Sequence, residues 1–170
     1  MTHAAFDAFY AETSQRLWAY LLRLCNNREN AKDILQESYL RFLEKPPDHD
    51  DFAKMKSYLY TIATRLHFDR VRREKRKRLN VLERFSKKAA TNVDPQVAAN
   101  LQLDMSVIFD KLKPRERALL WLAYVEEQSH LSIAQILGMR EKSVKVVLYR
   151  ARRKLANLLE KFGINEKVGL

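Results

Sequence analysis

The sequence is poor in the residues that shape tight turns and covalent frameworks. It holds 1 cysteine, 3 glycines and 4 prolines in 170 residues. One cysteine, Cys25, excludes an internal disulfide framework and a cysteine-rich zinc module. So few glycines and prolines argue against an all-β sandwich or barrel, which needs many tight turns, and for helices. No apolar run approaches the roughly 20 residues of a membrane span. The N-terminal stretch from Met1 to Phe9 lacks the basic-then-apolar pattern of a signal peptide. The expectation is a soluble, cytoplasmic, helical protein with no membrane insertion.

What the chain does have is apolar residues and positive charge. Hydrophobic residues make up 46%, sufficient for a real core. Net charge is +11, and its distribution is uneven. Residues 1–64 carry 8 basic and 9 acidic residues, and 79–139 carry 7 of each. Arg65 to Arg78 and Arg140 to Lys161 each carry 8 basic and 2 acidic residues. The entire excess therefore lies in two short, separate stripes, which suit two contact surfaces on one polyanion. Two solvated helix faces are the plainer alternative.

Hydrophobic periodicity predicts an all-α protein. Phe6, Phe9, Tyr10, Leu17, Tyr20, Leu21 and Leu24 recur at helical steps, and Asn26-Asn27 breaks that helix. A second helix spans about Glu29 to Glu44 with Ile34, Leu35, Ser38 and Phe42 inward. Pro46-Pro47 and Asp48-His49-Asp50-Asp51 form the next loop. A third helix starts near Phe52 and runs into the first basic stripe. From about Lys77 to Val93 the pattern weakens into a linker. Asp94-Pro95 reads as a cap with proline in the first turn. Helices follow over about Gln96 to Leu112, Pro114 to Glu126 and Leu131 to Leu137. After Gly138 a long last helix runs to Phe162, stopped by Gly163. The chain thus divides into two small helical domains, 1–78 and 95–170, joined by a linker over 79–94.

Gly138 sits where a tight helix-to-helix turn would use it, between Ile133, Ala134 and Leu137 on one side and Met139, Val144 and Val147 on the other. That is the pattern of a helix-turn-helix, whose second helix enters the major groove. In the last helix Val144, Leu148, Ala151, Leu155, Leu158 and Phe162 form a buried stripe. Lys142, Lys145, Tyr149 and Arg153 form another, suited to phosphate clamping and base contact. In the first domain, Asp33, Gln36, Glu37 and Leu40 share one helical face, opposite Ile34, Leu35 and Ser38. Such a patch fits a basic helical partner, although a solvated acidic face explains it as well. Tyr58, Arg65 and Arg72 recur every seven residues, flanked by Tyr60, Thr61, Thr64 and Phe68. Aromatics mixed with arginines and hydroxyls provide stacking and phosphate neutralisation for single-stranded DNA, though some of these aromatics would serve the core instead.

Four stretches together resemble a known family: Ala31 to Leu40 (AKDILQESYL), Ser57 to Arg73 (SYLYTIATRLHFDRVRR), Leu112 to Leu120 (LKPRERALL) and Ile133 to Leu155 (IAQILGMREKSVKVVLYRARRKL). In order and spacing they resemble bacterial RNA polymerase sigma factors of the extracytoplasmic-function (ECF) type. The resemblance implies an all-helical, two-domain protein that binds core polymerase and promoter DNA. It implies docking of Asp33, Gln36, Glu37 and Leu40 on the clamp helices of the β′ subunit, with the β subunit as a further contact. It implies −10 recognition and melting by Tyr58, Tyr60, Thr61, Arg65, Arg72 and Arg73, with the loop from Asp48 to Lys56. Recognition of the −35 element falls to Arg140, Lys142, Ser143, Lys145, Val146, Tyr149, Arg150 and Arg153. An anti-sigma factor is a further candidate partner.

Some positions depart from the family pattern. Arg65 stands where many relatives carry Asn, Tyr58 replaces a common Trp, and Ser132 replaces a common Glu. Val146 and Val147 replace polar residues, so the base preference does not transfer; an exposed Val146 suits a thymine methyl. The rival reading is a stand-alone helix-turn-helix regulator that binds duplex DNA without polymerase. No enzyme is expected: the four histidines lie far apart, with no Gly-rich phosphate loop and no nucleophile–base pair. No metal or cofactor is expected either.

Overall fold

A computed structural model describes residues 2–48, 51–84 and 105–164. Among these, all regular structure is helical: α1 (His3–Cys25), α2 (Arg28–Glu44), α3 (Phe52–Arg84), α4 (Met105–Asp110), α5 (Pro114–Tyr124), α6 (His130–Leu137) and α7 (Glu141–Lys161). The expected elements are all present where they can be compared. The helix expected from Gln96 is described only from Met105, and the Asp94-Pro95 cap lies outside the described residues. One boundary moves. With no glycine or proline to stop it, α3 continues to Arg84, so the linker expected from residue 79 begins inside a helix.

Local chemistry sets most of the helix ends. Asn26 closes α1 in the left-handed conformation, and Asn27 opens α2 by accepting from the Asn30 amide at 2.9 Å. The expected break therefore ends one helix and starts the next. Asp51 accepts from the Lys54 amide at 3.1 Å at the start of α3. Pro114 occupies the first turn of α5, where the Glu116 carboxylate accepts from the Lys113 amide at 2.7 Å. Ser129 caps α6 by accepting from the Ser132 amide at 3.1 Å. Gly138 then turns the chain at φ +59°, with the Met139 amide donating to Ala134 O at 2.9 Å. Gly163 ends α7 at φ +75°.

α1, α2 and α3 form one module around Phe9, Leu17, Leu21, Leu24, Ile34, Phe42, Leu59 and Ala63. Phe9 stacks on Phe42 with ring centroids 4.9 Å apart. Each large side chain buried this way contributes about 1.5–3 kcal/mol relative to exposure. Two pairs of buried hydroxyls satisfy one another within the module: Thr13 with Tyr39 and Tyr20 with Thr64, each at 2.8 Å. The second module packs α4–α7 around Ile108, Leu119, Leu122, Ile133, Ile136, Val144 and Ala151. The modules do not stand apart. α6 lies on α3, while α4 and α5 lie on α1, and the buried side chains run continuously through the seam.

Candidate polymerase and nucleic-acid interfaces

The last helix presents its cationic face outward. Arg140, Lys142, Lys145, Val146, Tyr149, Arg150 and Arg153 are exposed, and Ser143 is half-buried. Val146 is 50% and Tyr149 58% exposed, too much for core residues on an otherwise packed helix. The orientation is held from behind. Val144 and Ala151 are buried, and the Lys154 ammonium meets the Glu116 carboxylate at 2.6 Å. That pairing lowers the Glu116 pKa against the opposing effect of burial. The Arg115 guanidinium donates to Leu137 O at 2.7 Å and ties α5 to the end of α6. Arg152 lies over the Tyr124 ring, 5.9 Å from its centroid. Two cations of this stripe, Arg152 and Lys154, therefore serve the module itself, which charge counting did not separate from the outward set.

The acidic face of α2 is also open. Asp33, Gln36 and Leu40 are exposed and Glu37 is half-buried, while Ile34 and Ser38 are inside. Asp33 pairs with Arg70 at 3.3 Å and Glu37 with Arg41 at 2.7 Å. A groove between α2 and α3 is lined by Asp33, Glu37 and Arg41 on one wall and Asp69, Arg70, Arg73 and Glu74 on the other. Arg73, expected among the −10 residues, thus lies on the groove shared with Asp33 and Glu37; one residue past Arg72, it has turned about 100° around the helix.

The other −10 residues divide. Arg65 and Arg72 are exposed, Arg72 paired with Asp69 at 2.5 Å. Tyr58 is half-buried, its ring 5.9 Å from Phe42. Tyr60 and Thr61, expected from the resemblance among the −10 residues, are buried. Tyr60 is wholly buried and packs on Tyr20 at 5.2 Å, while the Thr61 hydroxyl donates to Ser57 O at 2.9 Å. Glu126 of the second module also lies beside Tyr60.

Several residues of that seam carried no mark in the sequence reading. The Arg117 guanidinium is buried, donating to Leu24 O and pairing with Asp110, each at 3.2 Å. Burial lowers its pKa, and the Asp110 charge opposes that shift. Cys25 Sγ lies 3.4 Å from His67 Nδ1. Burial pushes the Cys25 thiol up to about 11, and burial together with the Arg117 and Arg70 charges lowers His67 to about 4. The Glu126 side chain is 1% exposed and meets Lys56 at 2.8 Å and Arg16 at 3.6 Å. The acidic pair Glu126-Glu127 after the apolar Leu119–Val125 run was the one local hint.

Among the described residues, no group of three or more His, Cys, Asp and Glu could hold a metal ion, and no helix is long and apolar enough to cross a membrane. His49 and Asp50 of the acidic loop lie outside the described residues.

A helix-turn-helix with an outward cationic helix, beside a second basic helix, has the features of a DNA-binding protein. Residues 9–77 match sigma-70 region 2, and residues 103–155 match sigma-70 region 4. Over 165 residues the chain is 32% identical to the ECF RNA polymerase sigma factor SigL of Mycobacterium tuberculosis, covering 95% of this chain and 92% of that one. It is 27% identical over 161 residues to the ECF sigma factor SigE of Mycolicibacterium smegmatis, 92% of this chain and 62% of that one. Its fold is similar to the sigma factor RpoE of Bartonella quintana, solved in complex with the anti-sigma factor NepR. The TM-score is 0.72 at 19% identity, covering 91% of this chain and 96% of that one. The chain belongs to the ECF family of RNA polymerase sigma factors: it binds polymerase and DNA, directs polymerase to promoters, and is not an enzyme.

Proposed function

We propose the following division of labour. Residues 1–78 form the polymerase-binding and −10 domain, and residues 95–170 form the −35 domain. Asp33, Gln36, Glu37 and Leu40 dock on the β′ clamp helices of core polymerase. Tyr58, Arg65 and Arg72 engage the −10 element. Lys142, Ser143, Lys145, Val146, Tyr149, Arg150 and Arg153, with Arg140 at the helix start, read the −35 element. The protein works in the cytoplasm beside the polymerase.

The observation that carries this reading is the uninterrupted outward face of α7, cationic with Val146 and Tyr149 among the charges. Cations clamp phosphates, while a valine and a tyrosine give apolar contact to base edges. The action is binding and strain, with no bond chemistry. Opening each base step costs a few kcal/mol, offset by contacts with polymerase and with the extruded bases.

We infer in addition that an anti-sigma protein holds this chain, by analogy with the Bartonella quintana complex. Transcription reconstituted from purified core polymerase and this chain on a genomic library should yield a defined promoter set. Replacing Asp33 and Glu37 by Lys should abolish co-purification with polymerase while leaving helical content intact; undiminished co-purification would refute the docking assignment. A mobility shift on duplex DNA that is unchanged by core polymerase would favour the stand-alone regulator.

A further inference from the structure

The groove between α2 and α3 has a second wall, on α3, that the docking of α2 alone leaves unused. The floor is apolar, from Ile34 and Leu66, and the walls bring four cations and four carboxylates around a space of about 490 Å³. Most of these charges already have partners within the chain. Asp33 meets Arg70 at 3.3 Å and Glu37 meets Arg41 at 2.7 Å, while Asp69 is paired with Arg72 from outside the groove. The lining side chains that remain are Arg73, Glu74 and Lys77. All three are exposed, and among the described residues none of them has a hydrogen bond or an ion pair.

The free charge of the groove is therefore the reverse of what α2 suggests: two cations against one carboxylate. A cation arriving from a partner must displace Arg70 or Arg41, exchanging one exposed pair for another and gaining little. A carboxylate arriving there meets Arg73 and Lys77, and neither gives up a partner. The two cations lie four residues apart and so share one face of α3. They are about 100° and 140° around the helix from Arg72. A strand held by Arg65 and Arg72 thus runs along a different side of α3. A protein seated on Gln36 and Leu40, the exposed residues of α2, borders the groove directly.

We propose that core polymerase places an acidic segment in this groove, where its carboxylates meet Arg73 and Lys77 and Glu74 opposes the attraction. This rests on the reading of α2 as the polymerase-docking face and adds α3 to that face. Arg73 then serves polymerase recognition and not the −10 element. Because the charges are exposed, they act mainly on encounter. Charges at the rim of an interface steer association, and salt screens their influence.

The test uses the full chain with purified core polymerase, followed by stopped flow, and with a fluorescein-labelled single-stranded oligonucleotide, followed by anisotropy. Both are measured across a salt series. Arg73→Ala with Lys77→Ala should slow association with polymerase at low salt on the order of tenfold. Arg73→Glu with Lys77→Glu should slow it further, and Glu74→Gln should speed it. All three differences should shrink as salt rises. The salt slope of oligonucleotide binding should stay that of the wild type in the alanine variant. Equal effects of alanine and glutamate, or association that no variant changes, would overturn the proposal. So would an oligonucleotide slope lower by about 0.7 for each cation removed, which would place Arg73 and Lys77 at phosphates. Asp33→Lys with Glu37→Lys keeps the two readings apart. Polymerase binding retained by that variant refutes the α2 docking on which the groove depends. Binding lost by it, with wild-type association in the Arg73 and Lys77 variants, refutes the role of α3 alone.

Discussion

The Arg117 guanidinium donates to the carbonyl of Leu24 at 3.2 Å, joining α5 of one module to the C-terminal end of α1 in the other. Leu24 O is among the last carbonyls of α1, which have no partner within their own helix. A cation at this end also favours the helix dipole. Arg117 therefore satisfies an orphan acceptor and fastens the seam in one contact. Arg117→Met keeps much of the apolar stem but leaves Leu24 O and Asp110 unpaired. It should cost about 1–3 kcal/mol, the usual penalty for a buried group left unsatisfied. Urea denaturation gives the loss and small-angle scattering the loosening; unchanged stability would show that water replaces the guanidinium without penalty.

His67 gives the seam a pH dependence of definite sign. Its neutral ring is buried beside Cys25 and Phe68, facing the Arg70 and Arg117 charges, and its pKa falls to about 4. In the unfolded chain the same ring titrates near 6.5. Between those values the unfolded state binds the extra proton, so stability is full above about pH 6.5 and is lost as pH falls towards 4. The span corresponds to a loss on the order of 3 kcal/mol. Denaturant midpoints measured from pH 7.5 to 4 should fall through that window, and His67→Gln should flatten the decline. A decline that persists in the variant would assign it to other groups.

Cys25 should be slow to react. Burial holds its thiol near pKa 11, so almost none is thiolate at neutral pH. Iodoacetamide should label the native chain far more slowly than the urea-unfolded chain, by at least tenfold. Equal rates would mean that α1 frays at its end and exposes the sulfur.

Gly138 tests backbone conformation apart from packing. Its φ is +59°, yet a Cβ added there would meet nothing within 4 Å. Gly138→Ala should therefore cost only the left-handed penalty of about 1–2 kcal/mol. Gly138→Asn should cost less, since asparagine tolerates this region. Chemical denaturation ranks the three. A much larger loss for alanine would require a clash that the open surroundings exclude.

On α7, Lys145→Ala and Arg150→Ala should each weaken duplex binding and lower the salt slope by about 0.9. Lys154→Ala should mainly destabilise the module, because that ammonium is committed to Glu116 at 2.6 Å. Titration of a −35 duplex across a salt series separates the two behaviours. A slope change for Lys154 equal to that for Lys145 would place Lys154 at a phosphate.

The helices and most of their ends, the C-terminal end of α3 excepted, could be read from local sequence. Asn26-Asn27, Pro114, Ser129 and Gly138 act on backbone groups a few residues away, and the apolar repeat of α7 leaves Val144 and Ala151 inside whatever else packs on it. The two cationic stripes, the outward α7 face and the acid face of α2 follow from the same short-range periodicity. Which charges stay free could not be read so. Arg152 and Lys154 look like Arg150 and Lys145 until folding brings Tyr124 and Glu116 beside them. Nor could the burial of Tyr60, or the seating of Glu126 between Arg16 and Lys56. Helix formation is decided within a turn or two of chain, where hydrogen bonds and side-chain spacing act. The pairing of a buried charge depends on a partner far away along the chain, and only the packing of the two modules supplies it.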